Sequence, residues 1–108
     1  MSNIVQIADA NEFDTMTKTG VVLVDFSAVW CRPCQLQMPI LESITSHFEG
    51  KVKVIKVDIE QAQNVAVRFG VQSVPTLVIL KDGEKITQFV GLQREETLIS
   101  ALEMLGKK

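Results

Sequence analysis

Cys31 and Cys34 are the only thiols in this 108-residue chain. The stretch VWCRPCQ, residues 29–35, sets them two residues apart, with Arg32 and Pro33 between. Two thiols at that spacing suit either exchange with disulfides or half of a metal site. A bridge between them would close a tiny loop and constrain the unfolded chain little. The pair is therefore poorly placed as a staple and well placed for reversible oxidation. Zinc normally takes four protein ligands, or three and a water, and the remaining nitrogen ligand, His47, falls at the far end of the same expected helix. Two inert core thiols are a third reading, and the spacing alone leaves all three open.

The elements around the pair favour the redox reading. Residues 21–26 form an apolar, β-branched run that leads into the cysteines. Residues 33–48 carry Leu36, Ile40, Leu41, Ile44 and Phe48 at helical spacing, with Pro39 expected to interrupt and kink the helix. The dithiol thus falls in a strand-to-helix turn. Cys31 lies just before the helix, where free N–H groups and the positive dipole end favour an anion. Cys34 lies one turn further in, and Pro33 suits the first turn because its missing N–H costs nothing there. Trp30, the lone tryptophan, is expected to shield the site. Lowering a thiol pKa from ~8.5 to ~7 raises the thiolate fraction at pH 7 about 16-fold, but reduced nucleophilicity takes back about fivefold. A net gain of only ~3-fold leaves most of any catalytic efficiency to the second thiol and to a docking surface.

Further apolar runs at residues 52–57 and 76–80 read as buried strands, and residues 4–7 and 85–90 as outer ones. Asp82-Gly83 marks a hairpin between the last two. Helices are expected at 10–17, where Asp9 and Glu12 have capping-box spacing, at 61–69 before Gly70, and at 94–105. The order βαβαβαββα predicts an α/β domain with a five-stranded mixed sheet, four helices on its two faces and an antiparallel hairpin at one edge.

The length fits one domain over residues 1–108. Net charge is −2, and with cations scattered singly, apart from Lys107 and Lys108, nucleic acid is not an expected partner. No apolar stretch approaches the ~18–20 residues of a membrane span. The start, MSNIVQIADANEF, lacks the basic-then-apolar pattern of a secretion signal. A cytoplasmic location is expected, where structural disulfides are rare.

VDFSAVWCRPC, then VPT about forty residues on, then VG, together resemble the thioredoxin family over nearly the whole chain, which implies the thioredoxin fold. The resemblance implies that Cys31 is an exposed nucleophile that attacks a substrate disulfide, and that Cys34 resolves the mixed disulfide, leaving a redox-active Cys31–Cys34 bridge. It lends Cys31 a pKa near ~7 and the pair a potential of about −270 mV, both borrowed from the family. Asp25, a carboxylate in an apolar strand, should have a raised pKa, and by resemblance accepts the proton of the resolving thiol, with Lys56 of the neighbouring strand close by. Pro75 matches a cis-proline beside the dithiol, exposing the Val74 backbone to an extended substrate. Trp30, Ile59, Val90 and Gly91 complete an apolar docking rim. No bound cofactor and no metal are implied. The partners implied are disulfide-containing proteins and a recycling reductase of the thioredoxin reductase type, with the chain a monomer.

Four positions depart from the common family pattern: Arg32 replaces a glycine, Ser27 an aromatic residue, Val29 an acid and Gln35 a lysine. A guanidinium ~6 Å from the Cys31 sulfur at an effective dielectric of ~40–80 makes the pair about 15–30 mV more oxidising. An oxidant or isomerase tuned by Arg32, and a binding module with spare thiols, stand beside the expected reductase.

Overall fold

In the computed structural model, residues 4–106 are described. Lys107, Lys108 and the first three residues of the amino-terminal stretch lie outside the described residues. The chain forms β1 (Val5–Ile7), α1 (Ala10–Thr17), β2 (Val21–Ser27), α2 (Arg32–Phe48), β3 (Val52–Asp58), α3 (Gln63–Arg68), β4 (Thr76–Lys81), β5 (Glu84–Val90) and α4 (Glu95–Gly106). The sheet order is β1-β3-β2-β4-β5. β1, β3 and β2 run parallel, while β4 is antiparallel to both β2 and β5. Antiparallel pairing therefore begins at the sheet centre, one strand earlier than the closing hairpin requires. The chain re-enters the sheet beside the end of β2, pairing Thr76 with Phe26, so β4 must run backwards.

Strand alternation sorts the apolar residues onto two faces. Val22, Val24, Phe26, Ile55, Val57 and Val78 meet Phe13 of α1 and Val65 of α3. Leu23, Val54, Leu77 and Ile79 meet Leu41 and Ile44 of α2 and Leu98 and Leu102 of α4. β2 and β4 are buried along nearly their whole length, as their unbroken apolar runs require. Asp25 and Ser27 follow Leu23 at two-residue spacing. They therefore point to the α2 face, beneath the helix that begins with the cysteines.

Three local expectations are corrected. Pro39 does not interrupt α2, which continues through it as one element. The neighbouring turns carry the helix past the donor that Pro39 cannot give to Gln35. α3 starts at Gln63 rather than 61, because Asp58 holds the preceding residues in a turn of their own. Its carbonyl accepts from Gln61 (3.1 Å) and Ala62 (2.9 Å), and its Oδ1 accepts from Glu60 N–H (2.8 Å). At α1, Asp9 caps Glu12 N–H (2.9 Å), but the Glu12 carboxylate reaches back to Ala8 N–H (3.0 Å) instead of closing on Asp9.

The expected hairpin turn has left-handed backbone at both central residues, Asp82 (φ 50°) and Gly83 (φ 87°). Asp82 is held there by pairing with Gly20: its N–H donates to the Gly20 carbonyl (2.9 Å) and its Oδ1 accepts from Gly20 N–H (2.8 Å). Asp82→Ala removes the second bond and strains the backbone. It is expected to cost about 1–2 kcal/mol, read as a lowered denaturant midpoint at unchanged slope.

Candidate active site

The site is assembled where β2 gives way to α2. Cys31 has extended backbone (φ −92°, ψ 112°) and caps the helix, its Sγ accepting the N–H of Cys34 at 3.2 Å. Sulfur thus occupies the place that an oxygen takes in an ordinary N-cap, at the positive end of a 17-residue helix. Cys31 is itself anchored by its N–H to the Ala28 carbonyl (3.2 Å) and by its carbonyl to Gln35 N–H (3.3 Å). Cys31 and Cys34 are joined by a disulfide, with Cα atoms 5.3 Å apart.

The expectation of an exposed Cys31 is not met in this oxidised state: each cysteine is only 3% exposed. The bridged pair packs with Ala28 against Ile59 and Val74. Trp30 is not the cover that the sequence suggested. It is 64% exposed, and its Nε1 donates to Glu60 at 2.9 Å, which draws the indole toward the β3–α3 turn. Arg32, Pro33 and Gln35 lie on the exposed side of the helix start.

Asp25 is fully buried, and neither carboxylate oxygen has a hydrogen-bond partner among the described residues. Burial pushes its pKa from 3.8 up to about 7, and the Lys56 charge pulls the other way. Lys56 is the register partner of Asp25 on β3, yet no hydrogen bond joins the two among the described residues. The result is a carboxyl that changes protonation near neutrality. Beside it, Ser27 Oγ is also buried with no hydrogen-bond partner among the described residues. A cleft of about 250 Å³ opens on this side, lined by Gln6, Ser27, Val29, Lys56, Asp58 and Gln61.

The rim residues come from four segments: Trp30 before α2, Ile59 after β3, Val74–Pro75 before β4, and Val90–Gly91 at the end of β5. The Val74–Pro75 peptide is cis. Pro75 is buried, Val74 and Ile59 are half-buried, and Val90 is 66% exposed. The Pro75 carbonyl accepts the Gly91 N–H at 2.8 Å, joining the last two of these segments. Ile59 N–H donates to the Ser27 carbonyl (2.9 Å). His47 stands apart at the far end of α2, 3.4 Å from Glu103.

Sequence reading missed Gln37 and Gln93. Gln37 is fully buried on α2, and its amide pairs with both backbone groups of Gln93. A signal was present: Gln37 falls between Cys34 and Leu41 on the buried stripe of the helix, where a polar side chain requires a partner.

A thioredoxin family model matches residues 3–104. The thioredoxin of Staphylococcus aureus is 40% identical over 100 residues, covering 93% of this chain and 95% of that protein. That of Staphylococcus saprophyticus is 41% identical over the same coverage. Among solved structures, a point mutant of the thioredoxin from Halobacterium salinarum superposes with a TM-score of 0.86 at 36% identity, covering 96% of this chain and 93% of that one. Thioredoxin from Malassezia sympodialis gives 0.83 at 31% identity, covering 96% and 91%.

Proposed function

Because this chain belongs to the thioredoxin family and is a thiol–disulfide oxidoreductase of the protein-disulfide reductase kind, we propose a mechanism in which Cys31 attacks and Cys34 resolves. In the reduced protein the Cys31 thiolate attacks a substrate disulfide. A bond forms between Cys31 Sγ and one substrate sulfur, and the other leaves as a thiolate. Cys34 then attacks Cys31 Sγ, its proton passing to the Asp25 carboxylate. The bond from Cys31 to substrate breaks, the second substrate thiolate departs, and the Cys31–Cys34 disulfide remains. Two electrons have moved from the dithiol to the substrate.

One observation carries this assignment: Cys31 Sγ accepts the Cys34 N–H at the mouth of α2. A sulfur held there is stabilised as an anion, both as nucleophile and as leaving group. The rim of Trp30, Ile59, Val74, Pro75, Val90 and Gly91 supports docking of an extended segment of substrate beside the pair. Lys56 keeps Asp25 within reach of neutral pH, and the adjoining cleft offers room for waters that carry its proton onward. No helix among the described residues is long and apolar enough to cross a membrane. A cytoplasmic, monomeric carrier spanning residues 1–108 as one domain, recycled by a thioredoxin reductase and holding no bound cofactor or metal, is the reading these features support.

The reductase and oxidant assignments separate on the reduction potential, measured by equilibration with glutathione. Against a glutathione buffer poised at ~−240 mV, a pair at the family value of about −270 mV equilibrates largely to the disulfide, whereas a tuned oxidant, at about −180 mV or higher, is held almost fully as the dithiol. Arg32 is exposed, so its field is partly screened. Arg32→Gly is expected to raise the Cys31 pKa and make the pair about 15–30 mV more reducing. Equal thiolate titrations in the two proteins would remove any tuning role from Arg32.

A further inference from the structure

Gln37 is a fully buried amide one turn beyond Cys34 on the catalytic helix, and the mechanism above does not use it. Its Nε2 donates to the Gln93 carbonyl at 3.0 Å, and its Oε1 accepts the Gln93 N–H at 2.8 Å. These two bonds imitate a strand pairing between one side chain and one residue's backbone. The Gln93 side chain continues the chain of contacts, donating from Nε2 to the carbonyls of Val90 (3.3 Å) and Gly91 (3.2 Å). Gly91 N–H then reaches Pro75 (2.8 Å). An unbroken hydrogen-bonded path thus runs from α2, one turn beyond Cys34, through these two rim segments.

Geometry makes this more than a buried pair with its needs met. α2 carries the disulfide, and this part of the rim lies on the loops after β5 and before β4. These are separate pieces of chain, and the rim loop needs a fixed height above the sulfurs if a bound segment is to present its disulfide to Cys31. Backbone at residues 91–93 belongs to no strand or helix, and beyond Val90 the sheet side holds it only through the Gly91 N–H on Pro75, leaving residues 92 and 93 without a ladder partner. Gln37 supplies that constraint from the element that bears the reacting atoms. Reaction at a docked disulfide is steep in placement, and shifts of about 1 Å are enough to matter.

We propose that Gln37 is a positioning residue for protein substrates: by clasping Gln93, it holds the Val90–Gly91 rim in register with the Cys31–Cys34 pair. The inference rests on the docking role of the rim and deepens it. It predicts a division between substrates. A protein disulfide, which must lie along the rim, depends on the clasp. A small aromatic disulfide, which needs only the sulfurs, does not.

The test uses the reduced protein in single turnovers against insulin and against 5,5′-dithiobis(2-nitrobenzoate). Gln37→Met keeps the side-chain volume and removes both bonds. It is expected to raise the half-saturating insulin concentration about tenfold, the scale of one well-made hydrogen bond. The limiting rate and the rate with the small disulfide should move less than twofold. A parallel fall with both substrates, or an unchanged insulin half-saturation, overturns the proposal. Gln93→Ala is the second variant, in case Gln37→Met fails to fold. It leaves the bonds to Gln37 intact and severs only those to Val90 and Gly91, with about a threefold rise expected. Val90→Glu serves as the control on the rim itself. If it too leaves insulin half-saturation unchanged, the docking role of the rim is wrong. If it raises half-saturation while Gln37→Met does not, the clasp alone is wrong.

Discussion

Cys34→Ser is expected to abolish turnover with protein disulfides, by about a thousandfold or more, and to leave substrate covalently attached at Cys31. The size follows from effective concentration. Cys34 lies one helical turn from Cys31, with the Cα atoms 5.3 Å apart, so its attack on a mixed disulfide is intramolecular. Well-oriented groups of this kind react as though present at about 10⁵ M or more, whereas an added thiol at ~1 mM is a far poorer resolver. First attack depends only on Cys31 and survives the substitution. The variant should therefore show one stoichiometric burst and then stop, with a mixed disulfide at residue 31 visible by mass. Cys31→Ser should show neither burst nor adduct. An adduct at residue 34 in that second variant, formed at a comparable rate, would reverse the two roles. The burial of both cysteines in the oxidised state sharpens the test, because burial alone does not distinguish them. Their difference lies in the helix. Cys31 is outside the first turn, with its sulfur accepting the Cys34 N–H at the positive helix end, and Cys34 is inside it.

Much of this was legible in the sequence, and the parts that were not have physical causes. The continuous apolar runs of β2 and β4 announced central strands because burial on both faces removes alternation. Asp25 was legible as an anomaly for the same reason: a carboxylate within such a run has nowhere to reach water. Cys31 at the helix mouth followed from Pro33 and the apolar spacing of α2. The exposure of Cys31, the shielding role of Trp30 and the start of α3 depended instead on tertiary contacts. Trp30 swings outward because Glu60, thirty residues away, accepts its N–H. α3 is shortened by the hydrogen bonds of Asp58. Local pattern carries no signal of either. Gln37 falls between these cases. Its place on a buried stripe declared that a partner must exist, while nothing local pointed to the backbone of Gln93, 56 residues further on.

Stability of the oxidised protein is expected to fall as pH rises from about 4 to about 7, and Asp25→Asn is expected to remove that fall. Burial raises the Asp25 pKa from 3.8 to about 7 in the folded chain. In the unfolded chain the carboxyl ionises near its ordinary value of ~3.9. Between these pH values the folded state holds a proton that the unfolded state has released. Raising the pH therefore favours unfolding, and the slope vanishes once both states are ionised above the folded pKa. A difference of about three units, at 1.36 kcal/mol each, sets a ceiling of about 4 kcal/mol. Asparagine has nearly the same shape and does not ionise. Its unfolding free energy should run level with wild type near pH 4 and exceed it by up to about 4 kcal/mol at pH 8. Function moves the opposite way. The ionised carboxylate is the proposed acceptor for the Cys34 proton, so Asp25→Asn should slow resolution of a preformed mixed disulfide by about a hundredfold above pH 7. The wild-type inflection near pH 7 should disappear with it. Parallel stability curves for the two proteins from pH 4 to pH 8 would show that Asp25 ionises as an ordinary carboxylate. The buried, unpartnered side chain at the base of α2 would then have no part in moving protons.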